Sequence, residues 1–176
     1  MRRKAGRILV ASAVAATLLA SAGSSVRAQT AFSVDGAVTT VSQVTDTVNG
    51  CATALGEAPS SLTASGVASL MIQTELTRAV AAAQNLNVSD TSLATIIQSG
   101  QIQGVPAGLL NDPNCAQLAI GIALQAVIIS QTSFDAYLAV TAGHAVVVNP
   151  RFGTWDPTTL SLSGSGSLSQ AFQSGS

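Results

Sequence analysis

The chain has 176 residues, with seven basic and eight acidic side chains and a formal charge of −1. That balance hides an asymmetry: Arg2, Arg3, Lys4, Arg7 and Arg27 lie in the first 28 positions, whereas every acid lies from Asp35 onward. The 148 residues after position 28 carry two cations, Arg78 and Arg151, against eight acids, a net charge of −6. They have no basic footprint for nucleic acid or an anionic membrane, and one Trp, one Tyr and four Phe give no stacking platform for bases or sugars.

Residues 1–28 read as a secretory signal peptide. A basic start to Arg7 is followed by uncharged Ile8 to Ala22, and Val26-Arg27-Ala28 precedes Gln29 as the expected cleavage point. The apolar run of about 15 residues is shorter than the roughly 20 a membrane span needs, although a retained anchor is the alternative. No apolar pair follows Arg2-Arg3 at short range, so general secretion is expected over a twin-arginine route. No cysteine stands near the cleavage point to indicate a lipoprotein. The expected product is secreted, begins near Gln29 and keeps no stable membrane anchor after cleavage. In an oxidising compartment Cys51 and Cys115 are expected to form a structural disulfide, because neither Cys-x-x-Cys spacing nor a neighbouring cation marks a redox pair.

The mature chain opens with alternating residues around Asp35-Gly36, the signature of a tight hairpin whose turn needs positive φ. Thr40-Val-Ser-Gln43 fits a capping box for a helix through Val44, Val48 and Cys51, with Gly50 leaving its end open. Pro59 and two serines mark a break and a new cap, after which Leu62 to about Asn85 is helical, with Ile72, Leu76, Ala79, Val80 and Ala83 in one stripe. Ser89 or Asp90 caps a short helix through Leu93 and Ile97. Gly100 to Gly108 is a loop with at most one helical turn.

Asn111 or Asp112, followed by Pro113, should start the longest element. Leu118 to Ile129 is apolar nearly all round, as in a core helix, and Phe134, Tyr137 and Leu138 extend its face as far as Gly143. Ala145 to Val148 is a β-branched strand that Asn149-Pro150 ends. The predicted fold is mainly α: an orthogonal helical domain over residues 29–157, with a small sheet that pairs the N-terminal hairpin with the strand after the last helix. Residues 158–176 are rich in Ser and Gly and are expected to be a disordered tail.

Chemistry-bearing constellations are few. His144 is the sole imidazole, no Gly-x-Ser-x-Gly elbow is present, and a lone histidine at a helix end is better read as a dipole partner or cap than as a base. The carboxylates are dispersed, and Asp35, Asp90 and Asp112 already suit turns or caps. No catalytic residue, metal ligand set or cofactor is assigned, and an enzyme is not expected. One segment stands out: Asn149-Pro-Arg-Phe-Gly-Thr-Trp-Asp-Pro157 holds the only Trp and one of the two later cations. Arg151, Phe152 and Trp155 would suit a binding rim. Alternatively, Phe152 and Trp155 dock the chain end onto the helices while Arg151 pairs with Asp156.

The strand-turn Val34-Asp35-Gly36, the capped helix after it, Leu86-Asn-Val-Ser-Asp90 and a strand running into Val148 to Pro157 together resemble the N-terminal domain of SurA-like extracytoplasmic chaperones. The terminal nonapeptide is similar to the ending of secreted actinobacterial members. The likeness covers roughly Phe32 to Pro157 and implies a helical domain whose first and last strands pair. Family helices carry many more charges than these, and a Ser/Gly stretch stands where a parvulin domain would follow, so prolyl isomerase activity is not implied.

The expected function is that of a secreted, non-enzymatic, chaperone-like domain. It would hold unfolded or extended apolar polypeptide segments in a groove between helices, with Met71, Ile72, Leu76, Arg151, Phe152 and Trp155 as candidate peptide-binding residues. The alternative is a structural or accessory cell-envelope protein that binds one partner or self-associates. A third reading, a small hydrolase, would depend on His144.

Overall fold

The computed structural model describes residues 29–164. The expected signal peptide, residues 1–28, and positions 165–176 of the expected tail lie outside them. The described residues form a mainly α domain of five helices with a small antiparallel sheet.

Strands β1 (Thr30–Val34) and β2 (Ala37–Thr40) form the expected hairpin. Both turn residues have positive φ, 50° at Asp35 and 85° at Gly36, as a type I′ turn requires. The capping box then starts helix α1 (Val41–Leu55): the Thr40 hydroxyl accepts from the Gln43 amide at 3.2 Å, and Gln43 Oε1 accepts from the Thr40 amide at 2.8 Å. A 3₁₀ turn at Pro59–Ser61 leads to α2 (Ala64–Ala83), capped by Thr63 rather than by the serines. Ser89 caps α3 (Asp90–Gln98), and a second 3₁₀ turn at Ala107–Asn111 precedes α4 (Pro113–Gln131).

Helix α4 is the centre of the bundle, in contact with α1, α2 and α3, and Ala119, Ala123 and Ile128 are wholly buried. It is long and apolar enough to cross a membrane; in this fold its apolar side chains pack on neighbouring helices. Two glycines allow the close approaches. A Cβ on Gly121 would collide with the Thr74 side chain of α2, and one on Gly50 would collide with the Asp112 carboxylate. That carboxylate caps α4, accepting from the amides of Asn114 at 2.9 Å and Cys115 at 3.1 Å. Gly50 therefore sits inside α1 because the start of α4 rests on it. One residue further, Cys51 and Cys115 form the expected disulfide, with their Cα atoms 4.8 Å apart.

The expected run from Pro113 to Gly143 is interrupted. Thr132 leaves helical geometry, its hydroxyl donating to the Ile128 carbonyl at 3.0 Å, and Ser133 caps a separate helix α5 (Phe134–Thr141) by accepting from the Ala136 amide at 3.1 Å. Adjacent Thr and Ser offered the backbone local partners that outcompete helix continuation. On α5, Tyr137 is fully buried, its hydroxyl 2.8 Å from Thr77 Oγ1 and accepting from Gln125 at 3.2 Å. Burial raises its pKa, and the two hydrogen bonds oppose the rise.

Strand β3 (Val146–Val148) pairs with β1 in the order β2-β1-β3, with Phe32 opposite Val148 and Val34 opposite Val146. Phe32 and Val34 point into the core, so the sheet ties both ends of the helical body together, as expected. Past it, β4 (Thr154–Asp156) and β5 (Ser161–Ser163) form a second hairpin. This corrects the boundary at 158, because residues 158–163 are part of the fold. Asp156 Oδ1 accepts from the amide and hydroxyl of Thr158 at 2.8 and 2.7 Å. Leu160 is buried, and its carbonyl accepts from Gln73 of α2 at 2.6 Å. One well-placed leucine outweighs the Ser/Gly composition around it.

Candidate functional site

The six candidate peptide-binding residues do not form one surface. Ile72, Leu76 and Phe152 are 0%, 1% and 1% exposed and belong to the main core. They are corrected from contact residues to packing residues: the stripe on α2 faces α4 and β1, and Phe152 plugs the base of the last hairpin, its amide donating to the Asn149 carbonyl at 2.9 Å. Met71 is half-buried at a small cleft of about 180 Å³ between α1, α2 and the start of α4, whose walls include Gln43, Arg78 and Gln117. Arg78 donates to Gln117 Oε1 of α4 at 2.7 Å and pairs with Glu75, one turn away on α2, at 3.4 Å. The expected groove between helices is therefore replaced by a packed interface with a polar notch.

Arg151 and Trp155 lie elsewhere, at the two-hairpin end. Strands β3 and β4 run beside each other in different sheets with no ladder between them. Between them is a cleft of about 520 Å³ whose walls include His144, Val146 to Val148, Thr154 and Trp155. A second depression of about 470 Å³ lies against Val147, Val148 and Pro150. Trp155 is half-buried in the cleft wall, and Arg151 is exposed just beyond Pro150. The outer sheet face adds two exposed valines, Val38 at 56% and Val147 at 66%, both in register with Ser33.

The backbone of β3 is asymmetric. Ala145 C=O accepts from the Asp35 amide and Asn149 N–H donates to the Ala31 carbonyl, both at 2.8 Å. Antiparallel ladders alternate, so Val147 faces β1 as well, whereas the N–H and C=O of Val146 and Val148 point away from β1 at the edge of the sheet. The other sheet edge, β2, leads directly into α1.

His144 closes one end of the cleft. Its Nδ1 is 2.6 Å from Asp35 Oδ2, while Asp35 Oδ1 accepts from the Ala145 amide at 2.8 Å. A carboxylate only accepts, so Nδ1 carries the hydrogen. The His144 hydrogen bond, and then that of the Ala145 amide, lower the Asp35 pKa. This carboxylate–imidazole pair has half the layout of a hydrolytic triad, but no hydroxyl is hydrogen-bonded to Nε2 among the described residues. No three His, Cys, Asp or Glu side chains converge among them as a metal site.

The site was only partly legible from residue types. The β-branched run and Trp155 are visible in the sequence, but the pairing order that leaves β3 at the edge of its sheet, beside β4, depends on tertiary register. The periodicity of α2 located Ile72 and Leu76 on one face without revealing that the face is covered. No family model, no curated protein and no solved structure matches the chain.

Proposed function

We propose that the protein is an exported, non-enzymatic binding domain for extended polypeptide segments, in the manner of the SurA-like chaperone domains it resembles, with its site at β3 rather than between helices. One observation carries this reading: the outward N–H and C=O groups of Val146 and Val148 border a cleft walled by Trp155. An open strand edge is a template for an added strand, and strand addition combines main-chain hydrogen bonds with pockets for alternate side chains. Val147, exposed on the outer face, and Val146 and Val148, half-buried on the inner face, give such a strand apolar neighbours on both sides. The Cys51–Cys115 disulfide suits an oxidising, extracytoplasmic compartment.

Trp155 is the only tryptophan and reports directly on the cleft. Titrating the protein with a short peptide of alternating valine and threonine is expected to give a saturable change in its emission, and the protein is expected to slow aggregation of an unfolded client. An unchanged emission with aggregation equal to that in an inert control would overturn the reading. A concentration-dependent oligomer that binds no peptide would instead favour the accessory envelope protein.

A further inference from the structure

Resting on that reading, we infer that the segments held at β3 are extended, apolar and basic, with Lys or Arg flanking the stretch that pairs with the strand. The argument begins with charge. The described residues contain two cations and eight acids, and three of those acids neighbour residues of the cleft wall without lining it themselves. Asp35 is held against His144, which lines it. Asp156 lies between Trp155 and Pro157, both in its wall. Asp135 faces an adjoining depression of about 370 Å³ that shares Ala142 and Pro157 with the cleft.

Hydrogen bonds favour the ionised form of two of these carboxylates. The His144 and Ala145 hydrogen bonds lower the Asp35 pKa, and the Thr158 hydroxyl and amide lower that of Asp156. The nearby positive groups are His144, already engaged with Asp35, and Arg151, which follows Pro150 at the opposite end. Arg78 sits in the separate notch on α2. An approaching strand therefore meets an apolar edge with a negative potential at its His144 end. Complementary charge speeds encounter and selects among otherwise equal partners. The same potential disfavours a second copy of this chain, whose body carries the same excess of acids.

The experiment uses the full chain and three peptides with one alternating Val-Thr core, flanked by Lys, Ser or Glu, each titrated at low and high salt while Trp155 emission is read. The lysine-flanked peptide is expected to bind about tenfold tighter than the glutamate-flanked one at low salt, with the gap closing near 0.5 M salt as screening shortens the reach of the carboxylates (on the order of 10 Å at 0.1 M). Asp135→Asn, at an exposed position, should narrow the gap without loss of helix signal. Equal affinity for all three peptides overturns the charge preference and leaves the strand-addition reading standing. Binding of none of them overturns both.

Discussion

Asp35, at the tip of the first hairpin, lies 2.6 Å from the ring of His144, 109 residues later in the chain. With its second oxygen on the Ala145 amide, one side chain joins the β1–β2 turn to the corner where α5 hands over to β3. A carboxyl with a lowered folded pKa stabilises fully above its unfolded value, and that contribution is lost as pH falls through the folded one. The melting temperature should therefore drop on acidification below roughly pH 4, the ordinary aspartate range, with Asp156 adding to the fall in the same direction. Asp35→Asn, which keeps a residue tolerant of positive φ in the turn, should flatten the acid limb. Thermal unfolding followed by circular dichroism between pH 3 and pH 7 measures it; an acid limb identical to the parent's would count against the clasp.

The disulfide joins α1 to the first turn of α4 at buried positions, across a sequence separation of 64. In the chain-entropy view, a loop of that size contributes about 4 kcal/mol. Replacing both Cys51 and Cys115 by Ala should lower the unfolding free energy in urea by that order, and disulfide reduction should reproduce the loss.

Gly50 and Gly121 are helix-interior residues whose replacement by alanine would ordinarily gain about 1 kcal/mol of helix propensity. Here a Cβ meets the Asp112 carboxylate or the Thr74 side chain. Gly50→Ala and Gly121→Ala should each destabilise by about 1–3 kcal/mol, as overpacking does. A gain in midpoint denaturant concentration for either would contradict the close helix approach.

These two glycines also show what local sequence patterns leave unrecorded. Local chemistry was readable where a few neighbouring residues decide it: the Asp35-Gly36 turn, the Thr40–Gln43 capping box and the cap at Asp112. Gly50 looked like a possible helix end, because the partner that explains it is 62 positions away and no local pattern records an interhelical contact. The break at Thr132-Ser133 lies in the polar run Ser130 to Ser133, but the apolar residues that resume at Phe134 and Tyr137 continue the same helical spacing. Leu160 was hidden by the serines around it, and its burial is visible only once α2 supplies Gln73 beneath its carbonyl.

Core and site should separate under mutation. Leu76→Ala removes a wholly buried side chain and should lower stability by about 2–5 kcal/mol, leaving peptide affinity of the folded fraction unchanged. Trp155→Ala should weaken peptide binding by about tenfold, the scale of a modest aromatic hot spot. Calorimetric titration of both variants with the alternating Val-Thr peptide checks the pair. Equal losses of affinity would mean that the helices carry the binding.

Amide hydrogen exchange along β3 tests the strand-addition claim most directly. In the free protein, Val146 and Val148, whose amides point away from β1, should exchange quickly while Val147 is protected. Saturating peptide should slow exchange at Val146 and Val148 and leave Val147 as it was. Unchanged exchange at those two valines, or new protection on α2 around Met71 in their place, would contradict a site built on the open strand edge.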